Sequence, residues 1–230
     1  FVDPAAGTVT TWVAGEPGEV SLWGTAIDDA GRAWLSEWFG SASALRRFDP
    51  ASRRLCSYAL PGGAASYYIL YRDGMVWTAN WVTDHVVRLN PLTGEGTRWP
   101  LGPGAEPQGL AFDAAGNLWL TDSGREALLR FSPGSNLLAT YALPAGSAPQ
   151  MLAEIGGKIW YTENGAGSVG ALDPAVAVPQ TSGAEPADFS VTESCITLGL
   201  GTTGAAARST GSLAWAAGAW PEIFASGGWT

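Results

Sequence analysis

Along the first 175 residues, short stretches in which apolar and polar side chains alternate succeed one another, each closed by Gly, Asp, Asn or Pro. Residues 109–144 show the pattern: GLAFD, a turn DAAGN, then LWLTD, a loop SGRE, ALLRFSP, a turn, and LLATYALP. Alternation with a period of two places one face of each stretch in a core, which predicts short β-strands joined by hairpins. Asp29-Ala30-Gly31, Asp73-Gly74, Asp113-Ala114-Ala115-Gly116 and Gly156-Gly157 fall at the same hairpin in successive copies.

The copies are in register. Trp34, Trp77, Trp119 and Trp160 are spaced 43, 42 and 41 residues apart, and three positions after each comes Glu37, Asn80, Asp122 or Glu163. Further on stand Phe48-Asp49-Pro50, Leu89-Asn90-Pro91, Phe131-Ser132-Pro133 and Leu172-Asp173-Pro174. Three units close with Tyr58-Ala59-Leu60-Pro61, Trp99-Pro100-Leu101 or Tyr141-Ala142-Leu143-Pro144. A four-stranded antiparallel unit recurring every ~40–45 residues is a propeller blade. The fold expected is therefore all-β, a β-propeller of four-stranded blades with four repeats visible, part of a ring of six or seven. The recurring Trp fills the space between neighbouring blades.

The blades predicted are 21–63, 64–105, 106–147 and a last one beginning at 148. Residues 1–20 match the outer portion of a repeat and supply an outer strand of an incomplete blade, of the kind that closes a ring. After Pro174 the pattern is lost in a stretch rich in Ala, Gly, Ser and Thr. Residues 175–230 are expected to be an insertion into the fourth blade, beginning with an exposed loop (PQTSGAEPADF) and ending in a segment that alternates again. A further portion of the propeller is expected beyond it.

Composition narrows the function classes. The 31 Gly and 15 Pro supply turns for many short strands, and 12 Trp are more than an ordinary domain carries. A net charge of −9 argues against nucleic acid or an anionic membrane as partner. No apolar run approaches the ~18 residues of a membrane span. Cys56 and Cys195 lack CxxC or Cys/His metal spacing; they are a disulfide of a secreted protein or two structural thiols.

Units such as GNLWLTDSGREALLRFSPGSNLLATYALP and GKIWYTENGAGSVGALDP resemble the repeats of the streptogramin lyase (virginiamycin B lyase) family, whose blades carry GNxWFTE, IGRxDP and a closing Y-x-L-P. NHL-type and gluconolactonase-like propellers share much of this pattern. The resemblance covers about residues 1–175 and concerns the scaffold. It implies a lyase that opens a macrocyclic lactone by elimination, with a histidine base and a magnesium ion at the top face. The family's histidines stand at the starts of innermost strands, as in Pro-His-Gly. Here those positions read Leu22-Trp23-Gly24, Ser66-Tyr67-Tyr68, Pro107-Gln108-Gly109 and Pro149-Gln150-Met151. Glutamine is no general base, and the single histidine, His85, falls in a loop.

Two residue sets remain as site candidates. Glu37, Asn80, Asp122 and Glu163 offer hard oxygen ligands at equivalent places near one rim, suited to Ca²⁺ or Mg²⁺; alternatively each caps its own strand end. Gln108, Gln150, Trp38, Trp81, Tyr67 and Tyr68 are candidates for a channel-face site that takes a sugar or flat ligand, the aromatics alternatively being inter-blade packing. The function expected is an extracellular or cell-surface, non-catalytic propeller acting in binding or in self-assembly, as a homo-oligomer or filament joined through unpaired edge strands at 1–13 and 210–230. The alternative is a metal-dependent lyase or lactonase with its site on the channel face.

Overall fold

The computed structural model describes residues 2–3, 5, 7–12, 21–37, 44–63, 67–198 and 203–205. The chain divides into two compact units: residues 1–13 with 199–230, and residues 14–198. The first begins with β1 (Val2–Asp3) and β2 (Thr8–Thr10). The second holds four antiparallel sheets arranged as a four-bladed β-propeller. Blade one is β3 (Leu22–Ile27), β4 (Ala33–Glu37), β5 (Ala44–Asp49) and β6 (Arg54–Ala59). Blade two is β7 (Ile69–Arg72), β8 (Met75–Asn80), β9 (His85–Leu89) and β10 (Glu95–Pro100). Blade three is β11 (Pro107–Phe112), β12 (Leu118–Asp122), β13 (Ala127–Ser132) and β14 (Leu137–Ala142). Blade four has three strands among the described residues, β15 (Pro149–Ile155), β16 (Lys158–Glu163) and β17 (Ser168–Leu172).

The described part of the segment after β17 pairs with other blades rather than with blade four. The chain runs back across the outer edges of the preceding blades and adds a fifth strand to each. Here β18 (Gln180–Gly183) pairs with β14, β19 (Ala187–Ser190) with β10, and β20 (Glu193–Thr197) with β6. The segment expected as an exposed loop thus forms β18 and β19. The chain then reaches β21 (Thr203–Ala205), which pairs with β2. Because β2 also pairs with β1, the strand β2 is paired on both sides within a three-stranded sheet of its own. The segment 210–230 lies outside the described residues.

The belt keeps a seven-residue pitch against blade positions 42 and 41 residues apart. Leu137, Glu95 and Arg54 face Gly183, Ser190 and Thr197. The backbone N–H groups of Ala184, Val191 and Leu198 each donate at 2.8 Å to the carbonyls of Asn136, Gly94 and Arg53. All three acceptors sit at the hairpin between the third and fourth strands of their blade, with positive φ. Gly94 is required there, since a Cβ would meet the Val191 carbonyl oxygen at 2.1 Å. Ala184, Val191 and Leu198, with Ala177 before them, turn their side chains inward at every seventh position. Paired backbone edges no longer offer a template for other chains.

The residue two places away along each fifth strand's register shows how one location takes three chemistries. Ala139 faces Thr181; Thr97 faces Asp188 and donates a 2.8 Å hydrogen bond to it; Cys56 faces Cys195 in a disulfide with Cα atoms 4.0 Å apart. The question left open by cysteine spacing is answered by strand register.

Between blades, Trp34, Trp77 and Trp119 are buried, each packing with the next blade's strands. An arginine stands beside each: Arg47, Arg88 and Arg130 lie 5.7, 5.7 and 5.8 Å from these rings and 5.5, 5.3 and 5.9 Å from Tyr58, Trp99 and Tyr141. Each guanidinium lies over two rings, so a half-buried charge is held in the wall between blades by the ring faces. In blade four the arginine's place belongs to Ala171, opposite Trp160, which is 42% exposed. The inter-blade role expected of the recurring Trp holds for the first three.

Two of these tryptophans are tied to a hairpin carboxylate. The indole N–H groups of Trp34 and Trp119 donate to Asp28 and Asp113 at 3.1 and 2.9 Å. Burial alone would raise both carboxyl pKa values. Hydrogen bonds from the Arg32 backbone, Trp34 and Arg32 for Asp28, and from Asn117 and Trp119 for Asp113, outweigh it and hold both below the usual value of 3.8. A depressed folded pKa means stability that is present above the unfolded carboxyl value and lost as pH falls through the folded one. The melting temperature should therefore drop as pH falls below about 4, and less steeply in Asp113→Asn. Equal slopes in a pH series of calorimetric scans would remove Asp113 as a source of the pH dependence.

Candidate functional site

Glu37, Asn80, Asp122 and Glu163 are the last residues of the second strands β4, β8, β12 and β16, as the repeat implies. Each is engaged within its own blade. The Glu37 carboxylate accepts the Ala44 N–H at 3.2 Å and the Arg46 guanidinium at 3.3 Å. Asn80 donates to the Gly63 carbonyl at 2.7 Å and accepts the N–H groups of Val82 and Thr83 at 2.9 and 3.1 Å. Asp122 accepts the backbone N–H groups of Glu106 and Arg125 at 3.0 and 3.2 Å and the Arg125 side chain at 2.6 Å. Glu163 accepts the Ser168 hydroxyl at 2.5 Å. These groups close the turn after each second strand, and the structure does not bring Glu37, Asp122 and Glu163 together. Among the described residues, the one cluster with three metal-type ligands is Cys56, Glu193 and Cys195, where the disulfide takes both sulfurs. There Glu193 accepts from Arg47 at 2.7 Å and from the Tyr58 hydroxyl at 2.5 Å.

A second set does come together. Leu22, Pro107 and Pro149 open three innermost strands, paired with Glu37, Asp122 and Glu163, and a bulge comes after each. Trp23, Gln108 and Gln150 are the first residues of these bulges, and Tyr67 stands just before the innermost strand of blade two. Two features hold the bulges. A hydroxyl two residues after the recurring Trp accepts the N–H of the bulge: Gly24 to Ser36 at 2.8 Å, Gly109 to Thr121 at 2.8 Å, Met151 to Thr162 at 3.0 Å. Ser36 and Thr121 then donate to the next blade, to the carbonyls of Tyr67 at 3.4 Å and Gln150 at 2.7 Å. Glycine at 24 and 109 permits that approach, because a Cβ would lie 2.6 Å from the same carbonyl oxygens. Blade two carries Ala79 in place of the hydroxyl, and its innermost strand is shorter.

Along the rim Trp23 meets Tyr67 edge-on at 5.6 Å, and Tyr67 lies 6.3 Å from Trp81. Trp23 is 56% exposed. Burial, then the nearby Glu106 carboxylate, pushes the Tyr67 phenol up to about 12, and burial raises that of Tyr68. Glu106 accepts the Ser123 hydroxyl at 3.3 Å, and Gln108 donates to Ser123 at 2.9 Å. Tyr68 contacts the Met151 sulfur. The structure therefore groups Trp23, Tyr67 and Trp81 across blades one and two, and Glu106, Gln108 and Ser123 on blade three, with Gln150 half-buried on blade four. Trp38 lies outside the described residues. Sequence reasoning singled out neither Glu106 nor Ser123 and took Trp23 only as a replaced histidine; its adjacency to Tyr67 is a tertiary fact. His85 is the first residue of β9 rather than a loop residue, and it contacts the Thr83 carbonyl.

An open cleft of about 660 Å³ lies elsewhere, at the outer edge of blade two beneath the belt, lined by Met75, Arg88, Glu95, Thr97, Asp188 and Phe189. No helix among the described residues is long and apolar enough to cross a membrane.

No family model and no curated protein matches the sequence. Solved structures do. A catalytically inactive virginiamycin B lyase from Staphylococcus aureus, crystallised with quinupristin, is similar at 18% identity and a TM-score of 0.65 over 76% of this chain and 59% of that one. A selenomethionine form of the lyase from the same organism is similar at 19% identity and 0.64, over 80% and 60%. The extracellular domain of a hybrid two component system from B. thetaiotaomicron is similar at 14% identity and 0.53, over 70% and 24%. The chain thus spans about 59% of the length of the lyase it matches, and the likeness is one of scaffold.

Proposed function

We propose that this protein is a non-catalytic binding propeller of an oxidising, extracellular compartment, and that the strip from Trp23 to Gln108 is its ligand surface. One observation carries this reading. The four equivalent starts of the innermost strands present Trp23, Tyr67, Gln108 and Gln150, and none of these is a base near neutral pH. An exposed indole beside a phenol, flanked by amide, hydroxyl and carboxylate, suits a sugar or another flat ring with polar edges. The Cys56–Cys195 disulfide supports the compartment.

Titration with a panel of soluble oligosaccharides, read by tryptophan fluorescence, tests the reading. Binding should weaken by at least about tenfold in Trp23→Ala, with no change in melting temperature. Chelator-sensitive ring opening of quinupristin or of a simple lactone, lost in Glu163→Ala, would instead establish the metal-dependent lyase alternative.

A further inference from the structure

Blades one to three are each finished by a fourth strand and then by a strand of the belt, whereas blade four ends at β17, which has no outer partner among the described residues. The complete blades show what the missing strand contributes. Each fourth strand brings an aromatic ring beside the recurring tryptophan: Tyr58 at 5.1 Å from Trp34, Trp99 at 6.0 Å from Trp77, Tyr141 at 5.2 Å from Trp119. Two residues later each has a leucine, Leu60, Leu101 or Leu143. On blade four no described residue fills the corresponding place. Ala153, Trp160 and Ala171 form one row across the sheet, and Met151, Ile155 and Val169 alternate onto the same face. Trp160 is 42% exposed, Met151 48%, Ile155 62% and Val169 67%.

We propose that the edge of β17 together with the Trp160 face is a strand-acceptor site for an extended segment of a second polypeptide that carries an aromatic-x-leucine pair. The unpaired backbone groups of an edge strand bind any extended chain, and side-chain pockets at alternate positions choose among them. Here the pocket is the flank of Trp160, and the chemistry that fits it is displayed three times in the same molecule. The aromatic ring of the incoming strand covers Trp160 as Tyr141 covers Trp119. Ala171, in place of arginine, leaves room over both rings.

The test uses the whole protein and a labelled synthetic peptide with the sequence of residues 136–144, Asn-Leu-Leu-Ala-Thr-Tyr-Ala-Leu-Pro, monitored by fluorescence anisotropy. Saturable binding is expected. It should weaken by about tenfold or more when the peptide's tyrosine is replaced by alanine, and equally in the Trp160→Ala protein. Methylating alternate backbone nitrogens along one edge of the peptide should abolish binding, while methylating the other edge should leave it intact. The peptide variants leave the protein unaltered, so the result does not depend on how Trp160→Ala folds. Absence of saturable binding, indifference to the tyrosine and to Trp160, or equal loss from both methylated edges would each overturn the proposal. So would a self-associated protein that Trp160→Ala dissociates, because a second copy would then be the occupant.

Discussion

Replacing Cys195 with serine is expected to lower the melting temperature by something of the order of 10 °C. The disulfide joins residues 139 apart in sequence, so it removes a large loop from the unfolded ensemble. On a chain-entropy account that constraint stabilises the fold by about 4–5 kcal/mol, and about 2–4 °C accompanies each kcal/mol in a chain of this size. The native state should tolerate the change well. The strand that carries Cys195 stays paired with β6 through five residues, and Glu193 still accepts from Arg47 and Tyr58. The loss should thus appear in stability while the folded belt persists. Reduction of the parent protein should reproduce the shift, and scanning calorimetry with and without a dithiol reductant would measure both. An oxidised parent and Cys195→Ser that melt together would mean that the belt is not clasped where β20 places it.

The second large effect is a contrast between two tryptophans that the repeat makes equivalent. Trp119→Ala should cost about 3–5 kcal/mol, whereas Trp160→Ala should cost less than about 1 kcal/mol, the ordinary range for a surface change. Trp119 is fully buried between blades three and four, stacks on Tyr141, lies under Arg130, and donates to Asp113. Its removal leaves a cavity and takes a hydrogen bond from a partly buried carboxylate. Trp160 occupies the same place in its own repeat but has no neighbouring blade over it among the described residues. Chemical denaturation of the two variants measures the difference directly. Similar losses would show that blade four is covered on its outer face, and would weaken the proposed strand-acceptor site at the same time.

The antiparallel blade, its hairpins and the inter-blade packing of three of the four recurring tryptophans were legible because a propeller writes its packing into the chain once per repeat. A side chain that faces the next blade recurs at the blade period, and its surroundings recur with it. The arginine row was also present in the sequence, as Arg47-Phe48-Asp49-Pro50, Arg88-Leu89-Asn90-Pro91 and Arg130-Phe131-Ser132-Pro133 against Ala171-Leu172-Asp173-Pro174. Its meaning was hidden, because a polar residue on an alternating strand reads as solvent-facing until the flanking rings are seen.

The belt was missed for a different reason. Residues 177, 184, 191 and 198 are apolar at a seven-residue pitch, yet strands of four or five residues separated by Ala184-Glu185-Pro186 and Val191-Thr192 carry too little alternation to stand out from a loop. Their strand character is borrowed from the blade edges they meet. The sequence by itself determined the blade and its period, since these arise from local alternation and turn chemistry. Tertiary structure alone decided that blade four has three strands among the described residues, that Cys56 faces Cys195, and that Trp23 adjoins Tyr67. Each of these depends on which edge a distant strand reaches, and no periodicity along a chain encodes the partner across a gap.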